Sequence, residues 1–385
     1  MSDLPAFIRE QAHRLGFQAV GFTSAERFAT TEDVLLQRID AGLMDGLPWF
    51  TAERASLSCR PEDLLPGARS IVALAASYLT KAPESPPSGD TPRGRVARYA
   101  WGSDYHTVLK ARAHDLAAAI SQHIGRPAAA RVFVDTSPLP ERAVAQRAGL
   151  GWVGKNTNVM VKGLGSWVFL AALALDVDLP EGEPLATHCG SCDLCIRACP
   201  TGAIVDGYTL DNSRCISYLT IEHRGAIPSD LRPLMGDWVF GCDICQDVCP
   251  VNRKAKVVDD PTFVAPDAWR ASPPLIDLLA MDVETYQTRF RGTAVKRAKR
   301  NGLRRNAAVA LGNAGDPAAV PALTQALADP DAVVRSHAAW ALGRLGGADA
   351  RVALEGAALA ETDPAVRAEL ALALAANPPP TVMPR

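Results

Sequence analysis

Two runs of closely spaced cysteines constrain the fold of this chain more than any other feature of its sequence. The first, "CGSCDLCIRACP", has the spacing C-x2-C-x2-C-x3-C-P, and the second, "GCDICQDVCP", has the spacing C-x2-C-x3-C-P. Closely spaced cysteines that end in C-P are typical ligands of [4Fe-4S] clusters. Eight of the nine cysteines lie between residues 189 and 249. In a reducing compartment this crowding favours cluster or metal binding over disulfide bonds.

The pattern of two-cluster bacterial ferredoxins assigns these cysteines to two clusters, because the last cysteine of each run there ligates the cluster of the other run. The first predicted ligand set is Cys189, Cys192, Cys195 and Cys249. The second predicted set is Cys199, Cys215, Cys242 and Cys245. Cys215 completes the second set as the only other cysteine of this segment, although 26 residues separate it from Cys242. Two zinc sites of four thiolates each are the alternative.

The length, the charge and the amino-terminal stretch of the chain indicate where in the cell the protein is located. The chain has 385 residues and a net charge of -2, and it is long enough for two or three domains. It contains no apolar run of about 18 residues, and its start resembles neither a secretory signal nor a twin-arginine leader. We therefore expect a cytoplasmic protein without a membrane partner. Cys59, outside the cysteine-rich segment, is expected to be a plain thiol.

Composition and periodicity divide the chain into four predicted segments. Residues 1–180 combine helical spacing with apolar runs such as "RSIVALAASYL" and "GSWVFLAALAL", which indicates an α/β domain. Within this domain, residues 80–94 are rich in Pro, Gly and Ser and are predicted to form a loop. Residues 181–260 hold the clustered cysteines, and residues 261–303 form a connector that ends in a strongly basic stretch.

The fourth segment, residues 304–385, carries an internal repeat. "RNAAVALGN" at 305 returns as "RSHAAWALGR" at 335 and as "VRAELALALA" at 366, so the period is about 31 residues. This period and the Ala-Leu-Gly pattern are typical of HEAT-like helical repeats. Asp329-Pro330 and Asp363-Pro364 are predicted to begin helices, with Pro as the first helical residue. The alternative is a set of Ala-rich helices that cap the core.

Asp135 is the candidate acid–base residue. In "ARVFVDTSPLPERAVAQRAGLGWVGKN" it lies where a predicted strand runs into a turn, upstream of a glycine-rich loop that ends in Lys155 and Asn156. A carboxylate at such a position is well placed for proton transfer. A role as a turn or N-cap residue is the alternative.

Several long motifs together resemble one enzyme family, the epoxyqueuosine reductases. They occur in the order "RYAWGSDYH", "VDTSPLPERAVAQRAGLGWVGKN", "GSWVFL", "CGSCDLCIRACPTGAI", "YLTIEHRG" and "GCDICQDVCPVN". The resemblance covers nearly the whole chain. It implies a multidomain α+β and α fold: a nitroreductase-like α/β cobalamin-binding domain at 1–180, a ferredoxin-like module with two [4Fe-4S] clusters at 181–260, a basic connector at 261–303 and HEAT-like helical repeats at 304–385.

The resemblance also implies an activity and residue roles. The enzyme would reduce epoxyqueuosine to queuosine at the wobble position of the tRNA anticodon, which is the last step of queuosine biosynthesis. Asp135 resembles the family's proton donor, and burial beside the corrin ring is expected to raise its pKa. The cobalamin and substrate pocket is expected to contain Arg98, Tyr99, His106, Lys155, Asn156, Ser217 and His223.

Two departures from known motifs qualify these assignments. Ser103 stands where many relatives have a basic residue before Asp-Tyr-His. "SDYHTVL" contains the first part of the cobalamin-binding motif D-x-H-x-x-G, but Leu109 replaces its glycine. We therefore expect base-off cobalamin without a protein lower ligand, and His106 is not expected to bind cobalt.

A basic stretch is the candidate tRNA-binding surface. Residues 289–305, "RFRGTAVKRAKRNGLRR", contain eight Lys or Arg and no acidic residue. Such a stretch can follow phosphates, and an ordinary solvated surface is the alternative. The predicted phosphate-binding residues are Lys296, Arg297, Lys299, Arg300, Arg304 and Arg305.

Two other functions are compatible with parts of the sequence. A reductive dehalogenase also pairs a corrinoid domain with two clusters, but this chain has no twin-arginine leader. A non-catalytic ferredoxin fused to a binding scaffold is the second alternative, and cobalamin binding would exclude it. The expected partners are tRNA carrying epoxyqueuosine and a low-potential electron donor, and the expected state is a monomer.

Overall fold

The structure is a computed structural model that describes residues 3–84 and 91–377. Residues 85–90 of the predicted loop and residues 378–385 of the predicted repeat segment lie outside the described residues. The described strands are β1 (Ala19–Ser24), β2 (Ser70–Ser77), β3 (Arg95–Val96), β4 (Ala130–Phe133), β5 (Gly151–Val153), β6 (Val159–Val161), β7 (Val168–Leu175), β8 (Ile204–Asp206), β9 (Thr209–Leu210) and β10 (Trp238–Phe240).

The described helices lie before, within and after the cysteine-rich segment in the sequence. They are α1 (Leu4–Arg14), α2 (Ala29–Asp40), α3 (Ala52–Ser58), α4 (Pro61–Leu64), α5 (Tyr105–Ile124), α6 (Glu141–Arg147), α7 (Leu194–Ala198), α8 (Ile216–Ile221), α9 (Ile244–Asp247), α10 (Ala268–Ala271), α11 (Leu275–Ala280), α12 (Val283–Arg289), α13 (Lys299–Ala314), α14 (Val320–Ala326), α15 (Ala332–Leu345), α16 (Ala348–Ala360) and α17 (Pro364–Ala376). Among these described helices, none has the length and apolar composition needed to cross a bilayer.

The chain forms two compact units. The first comprises Met1–Ala82, Gly102–Cys215 and Asp243–Val264. The second comprises Pro83–Trp101, Ile216–Cys242 and Ala265–Arg385. The cysteine-rich segment is therefore divided between the units, because Ile216–Cys242 belongs to the second unit and the rest of the segment to the first. The four-segment division by function stays a prediction.

A four-stranded antiparallel sheet organises the first unit. Its strand order is β1-β2-β7-β4. The inner strand β2, "SIVALAAS", is buried at every position, as expected for a strand with small or apolar residues on both faces. Helix α5 packs against β7, and α6 packs against β2 and β7. The predicted mixed α/β character and the two strands predicted from apolar runs are confirmed.

The packing of α5 against β4 brings two distant segments of the first unit together. Strand β4 ends at Phe133, and Asp135 follows with a φ of 49°, a left-handed conformation that is uncommon outside glycine. Helix α5 begins at Tyr105, and the Asp104 side chain caps it by accepting a hydrogen bond from the His106 amide at 3.0 Å. The start of α5 therefore faces the loop after β4.

The glycine-rich stretch after α6 is a hairpin rather than the predicted continuous loop. Strand β5 pairs antiparallel with β6, and Lys155 and Asn156 lie in the turn between them. The Gly154 amide donates to the Asn158 carbonyl oxygen at 2.8 Å and closes this turn. The hairpin fixes both predicted site residues on a short, hydrogen-bonded element.

Two short helices of the first unit repeat one arrangement in the cysteine-rich segments. Helix α7 follows Asp193 and α9 follows Asp243, in the related stretches "CDLC" and "CDIC". The carbonyl oxygens of both aspartates accept a hydrogen bond from the amide three residues later. The two helices pack against each other. This internal duplication is the expected form of a two-cluster ferredoxin fold.

Helical repeats make up most of the second unit. Helices α13, α15 and α17 pack side by side. A Cβ atom at Gly312 would lie 3.0 Å from the Ala341 Cα, and one at Gly343 would lie 2.7 Å from the Ala373 Cα. Glycine is therefore required where these helices approach each other. The repeat period of about 31 residues and the HEAT-like character are confirmed.

One of the two predicted Asp-Pro helix starts is correct. Asp363 caps α17 by accepting hydrogen bonds from Ala365 and Val366 amides, with Pro364 as the first helical residue. The prediction for Asp329-Pro330 is wrong, because Asp331 caps α15 instead. Asp329 forms an ion pair with Arg304, so its carboxylate stabilises a contact between repeats.

Candidate active site and cluster ligands

Asp135 belongs to a hydrogen-bonded group at the start of α5. Its Oδ2 accepts a hydrogen bond from the Tyr105 hydroxyl at 2.6 Å and lies 2.9 Å from His106 Nε2. The other ring nitrogen, Nδ1 of His106, lies 2.8 Å from Asp104 Oδ1. The Tyr105 ring stacks on Phe169 with a centroid distance of 4.4 Å. Asp104, His106 and Asp135 therefore form a continuous chain of hydrogen bonds. The Tyr105 hydroxyl adds a further hydrogen bond to Asp135.

His106 carries a proton at neutral pH. Burial opposes its charge, but hydrogen bonds to Asp104 and Asp135, together with their negative charges, raise the pKa of His106 from 6.5 to about 9. Both ring nitrogens of the imidazolium donate hydrogen bonds, so it has no lone pair for a metal. This state is consistent with the expectation that His106 does not bind cobalt.

Contacts within the protein lower the pKa of Asp135, and the increase expected from burial beside a corrin ring stays a prediction. Burial in the protein raises this pKa, but hydrogen bonds from His106 and Tyr105 and the positive charge of His106 prevail and lower the pKa of Asp135 below its usual value. The Asp135 side chain is also 58% exposed. Of these two groups, His106 holds the proton, in direct contact with the Asp135 carboxylate.

A second carboxyl near Asp135 is neutral. Glu141 is the first residue of α6, and its Oε1 is buried without a hydrogen-bond partner among the described residues. Burial raises the pKa of Glu141 to about 8, and the negative charge of Asp135 contributes in the same direction. The site therefore has two carboxylates, Asp104 and Asp135, and one protonated acid, Glu141, at neutral pH.

We predict that the His106 pairings make stability depend on pH. Because the folded pKa of about 9 exceeds the value of 6.5, the stabilisation is complete below about pH 6.5 and is lost as the pH rises through 9. Denaturant unfolding from pH 6 to 9.5 should show this decrease in the wild type. A His106→Gln variant should be less stable at pH 6 and should lose the part of the decrease that comes from His106, whereas the part due to Glu141, which ends near pH 8, should remain; an unchanged decrease would contradict the assignment.

Lys155 and Asn156 contact the cysteine-rich segment of the first unit. The Lys155 amide donates to Cys189 Sγ at 3.4 Å, and its Nζ donates to the Gly190 carbonyl oxygen at 2.9 Å. Asn156 is 5% exposed and its Nδ2 donates to the Cys245 carbonyl oxygen at 3.4 Å. The structure thus places both residues as supports of the cysteine loops, and their predicted cobalamin contacts stay a prediction.

The surroundings of the cysteines are those expected of cluster ligands. All eight in the predicted sets are half-buried. Burial raises the pKa of the Cys195 thiol, and negative charge on Cys189 and Cys249 adds to this increase, so the three sulfurs are near neighbours. An amide N–H directed at a cysteine sulfur, as Lys155 provides, is a common way to stabilise a cluster. These observations support the first predicted ligand set, with Cys249 joining the first run.

The other predicted pocket residues lie in the second unit. Arg98 and Tyr99 form a 3-10 turn, where Arg98 lies over the Trp101 ring at 4.3 Å and Tyr99 packs against Phe240 at 6.0 Å. Ser217 is on α8 and is half-buried. His223 Nε2 lies 2.9 Å from the Ala226 carbonyl oxygen, and burial lowers the pKa of His223. Their roles in binding stay sequence predictions.

The basic stretch divides into buried and exposed residues. Arg305 is 1% exposed and donates to the carbonyl oxygens of Leu219, His223 and Gly225. Arg304 is 8% exposed and is bound to the Leu279 carbonyl oxygen. The prediction that these two arginines bind phosphate is wrong, because their guanidinium groups are engaged inside the repeat domain.

The remaining basic residues are nearer the surface. Lys299 and Arg297 are exposed, and Lys296 and Arg300 are half-exposed. Arg297 forms an ion pair with Glu222 at 2.7 Å, and Arg300 donates to the Met281 carbonyl oxygen at 2.8 Å. Four of the six predicted phosphate-binding residues are therefore accessible to solvent.

Sequence reasoning assigned no role to Tyr105, Asp104 or Glu141. The Asp104–His106 contact had a local signal, since Asp before a predicted helix is a typical N-cap. The contact of Tyr105 with Asp135 depends on packing between residues 30 positions apart and had none. Glu141 resembles an ordinary first-turn acid, and only its burial distinguishes it.

Comparison with known proteins identifies three matching families. Residues 59–136 match "Epoxyqueuosine reductase QueG, DUF1730", residues 188–252 match "4Fe-4S double cluster binding domain" and residues 293–375 match "HEAT repeats". The match to the double-cluster domain supports the presence of two [4Fe-4S] clusters rather than the zinc alternative. It includes all eight cysteines of the predicted ligand sets.

Curated relatives and solved structures agree with these matches. The epoxyqueuosine reductase of Xanthomonas campestris is 40% identical over 350 residues, which is 90% of this chain and 97% of the relative. That of Escherichia coli K12 is 38% identical over 89% of both chains. A crystal structure of an epoxyqueuosine reductase with an epoxyqueuosine-modified tRNA-Tyr stem loop superposes with a TM-score of 0.91 and 34% identity, over 97% of this chain and 98% of that chain.

A further solved structure is similar over nearly the whole chain. The epoxyqueuosine reductase from Bacillus subtilis, described with its catalytic aspartate loop swung out of the active site, superposes with a TM-score of 0.90 and 33% identity, over 97% of this chain and 99% of that chain. Identity at this level over nearly the full length of both chains establishes common ancestry and fold. The chain belongs to the epoxyqueuosine reductase family of oxidoreductases.

Proposed function

We propose that this chain reduces epoxyqueuosine to queuosine in tRNA, with cobalamin and two [4Fe-4S] clusters. The observation that carries the proposal is the placement of Asp135 at a solvent-accessible loop, with a protonated His106 and the Tyr105 hydroxyl on its carboxylate. A family member with this arrangement can deliver protons to an oxygen atom. We further propose a cytoplasmic monomer whose four segments have the functions predicted from the sequence.

The reaction requires reducing power and protons. Removal of the epoxide oxygen as water consumes two electrons and two protons. Bound cobalamin, with electrons passed singly through the clusters, would supply the reducing power at the carbon–oxygen bond. His106 would not hold the cofactor through its ring, since both ring nitrogens are bound to Asp104 and Asp135.

One of the two protons comes from the residues around Asp135, and the other enters from water at this solvent-accessible loop. His106 shares a 2.9 Å hydrogen bond with the Asp135 carboxylate and holds its proton at neutral pH. A developing oxygen anion is far more basic than either group, so a proton passes from Asp135 to the oxygen as His106 replenishes Asp135. Asp104 fixes the imidazole orientation in the way that a carboxylate orients a catalytic histidine. Tyr105 holds the carboxylate in place through its hydroxyl.

The cluster ligands are proposed as the sequence assigns them. Cys189, Cys192, Cys195 and Cys249 bind the first cluster. Cys199, Cys215, Cys242 and Cys245 bind the second cluster. The helices α7 and α9 and the Cys189–Cys195–Cys249 neighbourhood support this division.

Cys215 is the least conventional of these ligands and gives a direct prediction. A Cys215→Ser variant should lose the second cluster, so iron and sulfide should fall from about eight to about four of each per chain. Cys59→Ala is the matched control, because Cys59 is fully buried outside the cysteine-rich segment. Iron and sulfide analysis with electron paramagnetic resonance of the reduced protein checks this. Full retention of both clusters in Cys215→Ser would exclude Cys215 as a required ligand.

The tRNA contact is proposed for the accessible part of the basic stretch: Lys296, Arg297, Lys299 and Arg300. Replacing Lys296 and Lys299 by Ala should weaken tRNA binding and reduce the slope of log K against log salt by about 0.7–0.9 for each phosphate that is no longer neutralised. Arg14→Gln, which removes one exposed charge from α1, is the control. An unchanged slope in the double variant would show that the stretch is only a solvated surface.

One experiment tests the proposed function as a whole. Protein reconstituted with both clusters and cobalamin is incubated without oxygen with a chemical reductant and tRNA containing epoxyqueuosine. Nucleoside mass analysis should show the loss of one oxygen atom and the appearance of queuosine. No loss of oxygen from a fully loaded protein would refute the proposal.

A further inference from the structure

An exposed aromatic surface lies beside the Asp135 loop in the first unit. Trp49 is 45% exposed. The Arg54 guanidinium carbon lies 5.2 Å from the centre of the Trp49 ring, within the range of a cation–π contact. Phe50 meets the Trp49 ring edge-on with a centroid distance of 5.6 Å. Arg54 and Phe50 therefore hold the indole in place, while nearly half of the Trp49 surface remains in solvent.

Arg54 connects this surface to the loop that carries the catalytic carboxylate. Its Nη2 donates to the Thr136 carbonyl oxygen at 3.0 Å, and Thr136 follows Asp135 in the chain. The position of Arg54 is itself fixed, because its amide donates to the Thr51 side chain at the start of α3. Two contacts, ring to guanidinium and guanidinium to loop, thus separate Trp49 from the residue next to Asp135.

The chemistry of this surface suits an unpaired nucleobase. Exposed Trp rings and Arg guanidinium planes are the usual stacking partners of splayed-out bases in RNA, and stacking tolerates any base because every base has a π-face. A nucleotide whose modified base reaches Asp135 has covalently linked neighbours only one backbone step away. These neighbours must lie near the loop that Arg54 holds, where they encounter the only exposed tryptophan among the described residues.

We propose that Trp49, backed by Arg54, stacks against a nucleobase adjacent to the epoxyqueuosine nucleotide and so positions the anticodon loop at Asp135. The inference rests on the proposed function, since it takes the substrate to be tRNA. It assigns Trp49 to positioning and gives it no part in proton transfer. Stacking would also stabilise the Asp135 loop in the position described here, because Arg54 contacts both the ring and the loop.

Binding of a synthetic anticodon stem loop tests the proposal without turnover. The probe is an epoxyqueuosine-containing stem loop, compared with the same RNA made abasic at the two positions that flank the modified nucleotide. The protein is loaded with both clusters and cobalamin, and affinity is measured by fluorescence anisotropy. Trp49→Ala should weaken binding of the intact stem loop about tenfold, but it should have little effect on the abasic stem loop. Trp49→Phe should restore most of the affinity.

A control variant and two contrary outcomes complete the test of Trp49. Leu359→Ala changes a side chain that is 91% exposed on α16, and it should bind both RNAs as the wild type does. Equal losses on the intact and abasic RNAs, or no loss on either, would overturn the inference. Retained cluster and cobalamin spectra in Trp49→Ala exclude misfolding or cofactor loss as the cause. Failure of the proposed function would be seen separately, as wild-type protein that removes no oxygen from tRNA.

Discussion

Asp135→Asn should reduce turnover by about 10²- to 10⁴-fold, the usual contribution of a positioned acid–base group. The amide keeps the size of the side chain, and it can still accept hydrogen bonds from Tyr105 and His106, but it cannot pass a proton to oxygen. It also removes the negative charge that helps to hold the proton on His106. The substitution therefore interrupts the only route we propose from the imidazolium to the epoxide oxygen.

Single-turnover reduction of epoxyqueuosine in tRNA measures this effect, and the absorption of the clusters and of cobalamin serves as the folding control. Asp178→Asn is the matched variant, because it makes the same change at a side chain that is 67% exposed; its activity should equal that of the wild type. Wild-type activity in Asp135→Asn would refute the proton-transfer role. Loss of cobalamin from that variant would instead indicate a binding role for the carboxylate.

The features that could be predicted from the sequence are those with local or periodic signals. The cysteine spacings, the apolar run of β2 and the 31-residue repeat each occupy contiguous residues. The acid–base role proposed for Asp135 had a local signal as well, since a carboxylate followed a predicted strand. Its protonation state could not be predicted, because it depends on His106, which is 29 residues away in the sequence and is brought close by the packing of α5 on β4.

The error over the basic stretch has a similar cause. A count of charges treats residues 289–305 as one surface, whereas its last two arginines belong to the first helical repeat. At a spacing of 31 residues, Arg304 corresponds to Arg335, and Asn306 to His337. Arg304 and Arg335 both bind Asp329. Arg304 forms an ion pair with the Asp329 carboxylate, and Arg335 donates a hydrogen bond to the Asp329 carbonyl oxygen. Repeat position, rather than charge density, determines which arginines are buried.

Asn306 and His337, the other pair of corresponding residues, both bind backbone groups. Asn306 Nδ2 donates to the carbonyl oxygens of Thr220 and Val239 at 2.8 Å, and His337 Nε2 accepts from the Ile227 amide at 3.1 Å. Both side chains are fully buried. The inner polar positions of successive repeats therefore bind the backbone of the stretch between Cys215 and Cys242, which lacks extensive secondary structure of its own.

Arg305 gives the second large expected effect. Its guanidinium donates to the carbonyl oxygens of Leu219, His223 and Gly225 at 2.5, 2.7 and 2.9 Å. Arg305→Met fills a similar volume but leaves these three acceptors without their donor; the Leu219 oxygen is buried, and the His223 and Gly225 oxygens are partly buried. Because an unsatisfied buried polar group costs about 1–3 kcal/mol and a partly buried one costs less, we expect the free energy of unfolding of the second unit to fall by about 2–3 kcal/mol.

Chemical denaturation followed by circular dichroism measures this change, and Arg297→Met is the matched control. Arg297 makes an ion pair with Glu222 at 2.7 Å, but its side chain is 48% exposed, so its loss should cost no more than about 1 kcal/mol. Arg305→Lys should lie between the two, since an ammonium group keeps the charge but cannot span three acceptors. Equal stability of Arg305→Met and Arg297→Met would mean that water replaces the guanidinium at these carbonyls, and that the stretch from Leu219 to Gly225 does not depend on the repeats for its conformation.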